Sequence, residues 1–305
     1  MKEVLFLCAE TFPTHYAFLG SVFNRILRTH GYRFNWVMPS TTVRQIEEVR
    51  WDGQPVWLIP KPSSGGLLSL VENYVEHIRF VRSAVENATE ELGAVDAVQV
   101  RDDPAMAYVA WRLSKRLRIP FIYQVSHFKE EEHILYAKMR LYGSPLKNYV
   151  KGTTGLIARN HLLRQADLVF PISVQMKESL ASYGVPRGRM VPLPEGVDAS
   201  IEPQQFVEAA HDIRRELNLE GRRLLVYIGT MNRFRQLDFL LRVLRDVLDS
   251  FPDVHLLMVG DGMDAGDVRW LRMTAHDLNV DDSVTFTGRV PRSRVPAYIS
   301  ASDVG

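Results

Sequence analysis

The 305-residue sequence has one cysteine, Cys8, which excludes a disulfide framework and cysteine-rich zinc modules. No apolar run approaches the ~20 residues that a membrane-spanning helix needs. The apolar stretch over 4–9 is too short for a signal-peptide core and reads as a first buried strand. Net charge is almost absent: 37 Lys and Arg stand against 36 Asp and Glu, leaving +1 at pH 7. Nucleic acid is therefore not indicated as a partner. Lysine is missing from everything after Lys177. What is present is 46% hydrophobic and 24% charged, which suits a cytoplasmic globular chain of about two domains.

Short β-rich apolar runs alternate with helical patterns, the signature of parallel βαβ units. Strands are expected over 4–9, 34–38 (closed by Pro39), 56–59, 94–100, 121–125 and 168–172. Helices are expected over 15–30, 104–117 and 174–182, with a flexible loop over 61–66. After a proline-punctuated stretch at 192–203 a second series begins. It has strands over 224–228, 254–259 and 284–287 and helices over 237–250, 267–278 and 295–300. Asp303-Val304-Gly305 begins one more strand. The division falls near 200, giving domains over 1–199 and 200–305.

Ligands of open α/β sheets sit at the carboxyl ends of strands. Three strands of the second series end in glycine-bearing turns: Gly229-Thr230, followed by Arg233 and Arg235; Gly260-Asp261-Gly262; and Gly288-Arg289-Val290. Glycine lets a ligand approach the backbone, and arginine can hold a diphosphate in bidentate fashion. Taken singly, each is more commonly a tight turn or a solvated loop with incidental charge.

Their order is more specific. Ile172-Ser173, Tyr183-Gly184-Val185-Pro186 and Val191-Pro192-Leu193-Pro194-Glu195-Gly196-Val197-Asp198 precede Tyr227-Ile228-Gly229-Thr230. Leu257-Met258-Val259-Gly260-Asp261-Gly262, Val284-Thr285-Phe286-Thr287-Gly288-Arg289-Val290 and Ala301-Ser302-Asp303-Val304 follow. The ordered set resembles family-4 glycosyltransferases, strongly from about 168 to 305 and diffusely before. The resemblance implies the α/β GT-B fold: two Rossmann-like domains with parallel sheets facing a cleft, the second incomplete here. It also implies a retaining hexosyltransferase that takes a UDP- or GDP-linked sugar, with no cofactor and no obligatory metal.

Carried over by position, the resemblance puts Gly229, Thr230, Arg233, Arg235, Gly260, Asp261, Arg289 and Val290 at the donor. Thr230 stands where the family has an arginine and Arg235 where it has a lysine; Arg233 substitutes for the first cation. His127 takes the place of the active-site histidine at the reacting sugar. His15 and Arg101 would face the acceptor or cleft, with Thr14-His15 replacing a glycine pair. The two family glutamates that should follow Asp303 are not in the sequence. Asp102 and Asp103 read as a strand-end turn, and the acidic run Glu130-Glu131-Glu132 as a helix start.

Between Glu132 and Asp167 lie no acids but six bases: Lys138, Arg140, Lys147, Lys151, Arg159 and Arg164. With Tyr136, Tyr142 and Tyr149 interleaved, 133–166 suits an anionic membrane or a polyprenyl-diphosphate-linked acceptor. Surface polysaccharide or glycoconjugate synthesis, peripheral at the inner face of the cytoplasmic membrane, is the pathway expected. A nucleotide-sugar epimerase of the same fold, or a non-catalytic nucleotide-binding fragment, is the alternative.

Overall fold

The first apolar run forms strand β1 (Lys2–Cys8), and its period-two alternation feeds two cores. Val4, Phe6 and Cys8 pack with Phe23, Phe34 and Trp36. Leu5 and Leu7 pack with Val37, Val98 and Val100. A strand apolar on both faces belongs inside a sheet covered on both sides. The structure is a computed structural model that describes residues 1–14, 16, 18–61, 67–196 and 202–305. It divides into two units, Met1–Asp198 and Ala199–Gly305.

In the first unit, a π-wound helix Leu19–Ile26 runs into the α-turn Leu27–Thr29 (together α1). Then come β2 (Tyr32–Ser40), β3 (Glu47–Trp51), β4 (Gln54–Pro60), α2 (Leu67–Leu92) and β5 (Ala97–Arg101). They are followed by α3 (Pro104–Leu117), β6 (Phe121–Val125), α4 (Lys129–Met139), α5 (Pro145–Gln165), β7 (Leu168–Pro171) and α6 (Val174–Ser182). The sheet order is β3-β4-β2-β1-β5-β6-β7, parallel except for β3. The order reverses at β1, so the carboxyl ends of β1 and β5 flank the switch point where such sheets bind ligands.

The second unit contains α7 (Val207–Glu216), β8 (Arg223–Ile228), α8 (Leu237–Leu248), β9 (Val254–Val259), α9 (Ala265–Asp277), β10 (Val284–Gly288) and α10 (Val295–Ser300). Its sheet is parallel, in the order β10-β9-β8. Val304 bridges in parallel to Leu225, in keeping with the strand expected there.

Several elements depart from expectation for identifiable reasons. β2 runs through Pro39 to Ser40, because β1 pairs with it only as far as Val37 and Pro39 lies past that ladder. β3 was not expected, since Glu47, Glu48 and Arg50 break its apolar pattern; such charge protects an edge strand. It joins β4 through a turn at Asp52 and Gly53, both with positive φ (51° and 78°), a hairpin geometry. The helix expected over 15–30 is described from Phe18. The loop expected over 61–66 lies, from 62 on, outside the described residues.

Helices α2, α5 and α7 were also unexpected. α5 has Gly152 and Gly155 in its interior, a poor helical composition. Packing explains them: a Cβ on Gly152 would stand 2.7 Å from the Glu130 carbonyl oxygen and 2.9 Å from the Ile134 amide nitrogen. Only glycine lets α5 cross α4 this closely.

Candidate functional site

In the second unit's sheet a glycine closes β10 (Gly288) and directly follows β8 (Gly229) and β9 (Gly260). Gly260, with φ 135°, cannot be replaced, because a Cβ there would lie 2.0 Å from the Gly229 carbonyl oxygen. Backbone bonds knit the tips together: Gly229 N donates to Val259 O at 3.0 Å, Gly260 N to Gly288 O at 3.1 Å and Met231 N to Asp261 O at 2.8 Å. A wall without side chains results. It borders a cavity of about 250 Å³ lined by Gly229, Thr230, Gly260, Asp261, Arg289 and Val290.

The loops behind this wall are fixed by side chains. Tyr227 Oη donates to Thr230 O at 2.8 Å, holding the turn after β8. Asn232 Oδ1 accepts from Phe234 N and Arg235 N, both at 3.2 Å. The buried Asp267 carboxylate accepts from Met263 N at 3.0 Å and Asp264 N at 3.2 Å. The expected cations divide. Arg289 lines the cavity, whereas the Arg233 guanidinium lies over the Trp270 ring, 4.8 Å from its centroid. Arg235 starts from the Asn232-capped turn and does not line the cavity.

In the first unit, chemistry collects at the carboxyl ends of β1, β5 and β6. Arg101 is 1% exposed. Its Nη2 donates to Glu195 Oε1 at 2.5 Å, and its guanidinium lies 5.3 Å from the Tyr16 ring centroid. Nε lies 3.4 Å from Asp102 Oδ2 as an ion pair, and Nη1 is buried and donates no hydrogen bond among the described residues. A buried guanidinium with unmet donors is costly without a further partner.

Asp102, next in sequence, has φ 60°, a left-handed backbone that aspartate tolerates. Its carboxylate accepts from Ser126 N at 2.7 Å, from the Ser126 hydroxyl, and from His127 N at 3.3 Å. Lys129 is held above the usual lysine range: burial opposes its charge, but Asp102 and Glu10 outweigh it. Burial raises the Glu10 carboxyl and pushes the Cys8 thiol up to about 12, so this cysteine is no nucleophile at neutral pH.

His127 Nε2 pairs with Glu132 Oε2 at 2.9 Å. That bond raises the imidazole pKa. Glu132 is lowered, because bonds from His127 and Tyr136 outweigh the effect of burial. His127 and Arg101 thus sit on neighbouring strand ends, whereas His15 lies outside the described residues. Among the described residues, no three His, Cys, Asp or Glu converge as a metal-binding group.

Asp102, Lys129, Glu132 and Glu195 were not expected at this site. The acidic run does start α4. Its contacts, however, correct the picture of six uncompensated bases. Arg159 is buried, donating to Glu130 at 2.8 Å and to Glu131 at 2.6 and 2.7 Å. Lys138, Arg140 and Lys151 remain exposed on the α4–α5 pair, and Lys147 is half-buried. Beside them Leu146 is 60%, Tyr149 53% and Ile157 67% exposed.

Comparison with known proteins covers both units. The model of the "Glycosyl transferase 4-like domain" matches residues 25–196, and that of "Glycosyl transferases group 1" matches 222–305. An alpha-monoglucosyldiacylglycerol synthase of Streptococcus pneumoniae is 24% identical over 213 residues, 68% of this chain and 45% of that protein. A GDP-mannose-dependent alpha-(1-6)-phosphatidylinositol monomannoside mannosyltransferase of Mycolicibacterium smegmatis is 30% identical over 152 residues, 48% of this chain and 38% of that one. The chain thus spans less than half the length of these relatives. The crystal structure of Anabaena HepE in complex with UDP aligns with a TM-score of 0.64 at 15% identity, covering 99% of this chain and 72% of that one. At this identity the likeness is one of fold.

Proposed function

The chain belongs to the glycosyltransferase family whose 4-like model spans most of its first unit, and on that basis we propose that it is a hexosyltransferase using a nucleotide-activated sugar. The fold is GT-B, two Rossmann-like α/β units. The observation that carries the reading is the wall of strand-end glycines around a cavity of nucleotide-compatible size. A diphosphate can approach that backbone where no side chain intervenes.

In the proposed reaction, an acceptor hydroxyl bonds to the anomeric carbon as the bond from that carbon to the diphosphate oxygen breaks. The acceptor's proton passes to the departing diphosphate oxygen, and the nucleoside diphosphate leaves with the electron pair of the broken bond. Arg289, the arginine that lines the cavity, meets its charge in place of a metal. The new bond forms with retention of configuration. His127 and Arg101 serve the reacting sugar and the acceptor. The Nη1 of Arg101, buried and without a hydrogen bond among the described residues, favours an acceptor bearing hydroxyl or phosphate oxygens.

The acceptor is a lipid-linked molecule at an anionic membrane surface. Support comes from the α4–α5 face, where exposed lysines and arginine lie beside exposed Leu146, Tyr149 and Ile157; this pattern suits a headgroup layer. Both relatives are named as glycolipid-forming enzymes. In this reading the α4–α5 face makes the contact peripherally, at the cytoplasmic side; among the described residues no helix is long and apolar enough to cross a membrane.

The test is incubation of the chain with radiolabelled UDP-glucose or GDP-mannose and vesicles containing diacylglycerol or phosphatidylinositol, with calorimetric titration of UDP and GDP alongside. Labelled lipid together with micromolar nucleotide binding is the expected result. Absence of binding, transfer and donor hydrolysis with both nucleotides would overturn the reading.

A further inference from the structure

A second cavity, of about 290 Å³, opens at the other end of the first unit's sheet. It lies where α1 ends, β2 starts, β3 turns into β4 and α2 ends. By register Asn35 stands level with Leu5 and Val98, so the cavity floor lies three residues, ~10 Å along the strands, behind the tip that carries Arg101.

Its lining is almost wholly polar and planar: Arg28, Arg33, Arg50, Asn35, Gln54 and Glu91. Arg33 is matched by Glu3 at 3.1 Å and Arg50 by Glu48 at 3.0 Å. Burial and a hydrogen bond with Glu48 hold the Glu91 carboxyl above the usual range. Arg28 has no side-chain partner among the described residues, so its charge is the uncompensated one. At the floor, Asn35 is 0% exposed and donates its amide to Glu3 Oε2 at 2.9 Å. Its Oδ1 is buried and accepts nothing. A buried acceptor without a donor is an exception that calls for a partner.

We propose that this cavity binds a small phosphorylated polyol of hexose size. Guanidinium groups match phosphate oxygens in geometry and charge, and Arg28, flanked by Arg33 and Arg50, takes the phosphate. Hydroxyls donate to Asn35 Oδ1 and Glu91 and accept from Gln54, in keeping with the hydrogen-bonding capacity of these side chains. An apolar ligand finds little complementary surface in this lining. The site is independent of the transferase reading and shares no residue with the glycine-walled cavity.

Calorimetric titration of the full chain with glucose 6-phosphate, mannose 6-phosphate and fructose 6-phosphate tests this, with glucose and inorganic phosphate as controls. Hydrogen exchange then locates the bound ligand. At least one sugar phosphate should bind tenfold or more tightly than either control and slow exchange in 28–35 and 50–55. The double variant R28Q/R50Q should weaken that binding at least tenfold and leave UDP titration unchanged. No binding by any of the three, protection elsewhere, or undiminished binding by the variant overturns the proposal. Equal affinity for inorganic phosphate overturns the polyol assignment.

Discussion

Asp102 turns its carboxylate back onto the start of the β6–α4 loop, accepting from Ser126 N at 2.7 Å and from the Ser126 hydroxyl as well. The same carboxylate accepts from His127 N at 3.3 Å, so a buried charge on one strand end sets the backbone carrying the candidate catalytic histidine on the next. Replacing Asp102 with Ala strips three donors of their acceptor and should cost about 2–4 kcal/mol. Urea unfolding measures that loss. Asp102→Asn keeps an acceptor oxygen and should retain about half the stability difference while still lowering transfer, which separates positioning from folding.

Gly260→Ala should abolish nucleotide binding. The added methyl has no room beside the Gly229 carbonyl, and the backbone conformation itself disfavours a side chain. Strain of this kind costs about 1–3 kcal/mol or more. Gly31→Ala is the control, having a positive φ of 87° but nothing within 4 Å of its Cβ. Its stability should fall while UDP or GDP titration stays intact.

The His133 imidazole is pushed down to about 4, first by burial and then by Lys151. Its folded-state pKa is thus below that of an unfolded histidine, ~6.5. Stability from this group is present above pH ~6.5 and lost as pH falls toward 4. Between pH 7 and 5.5 the loss should be about 1–2 kcal/mol. His133→Gln should remove it, which urea midpoints at the two pH values will show. His127, raised by Glu132, has the opposite sign: its contribution is full below ~6.5 and fades as pH climbs through its folded value.

Arg159 and the neighbouring lysines should separate stability from membrane binding. Arg159→Met leaves the Glu130 and Glu131 carboxylates without their buried counter-charge and should cost about 3–5 kcal/mol. Changing Lys138, Arg140 and Lys151, all exposed, to Gln should leave the urea midpoint within experimental error. Binding to phosphatidylserine vesicles should drop steeply, by about 1 kcal/mol per charge removed. Sedimentation with vesicles at low and high salt reads the effect; retained binding would falsify the assignment of this face.

Calcium and magnesium chelation should leave transfer unchanged if Arg289 meets the leaving diphosphate. Activity measured with excess EDTA decides this. A requirement for a divalent cation would transfer the neutralising role away from the arginine.

The βαβ alternation and the three glycine-ended strands were legible because they are local: a period of two, then a residue lacking a side chain. α3, β6, α6, β9 and α10 have the ends expected from proline, glycine and apolar spacing. β3 was hidden by its charges, and α5 by glycines whose reason is another helix. Arg159 shows the same limit in electrostatics. Its partners Glu130 and Glu131 lie 29 and 28 residues away, so charge counted along a segment mistook an interior ion cluster for surface. Asp102 looked like an ordinary turn residue, since the donors it collects come from the loop after β6, a strand that only the sheet order places beside it.

The contact at Gly152 leaves α4 and α5 no clearance in which to slide or separate. The pair must therefore move as a single lever. One end bears Leu135 and Met139, both exposed; the other begins at Lys129, two residues from His127. Any displacement imposed on the outer end is delivered to the strand tips undamped, because a joint without slack has nowhere else to absorb it.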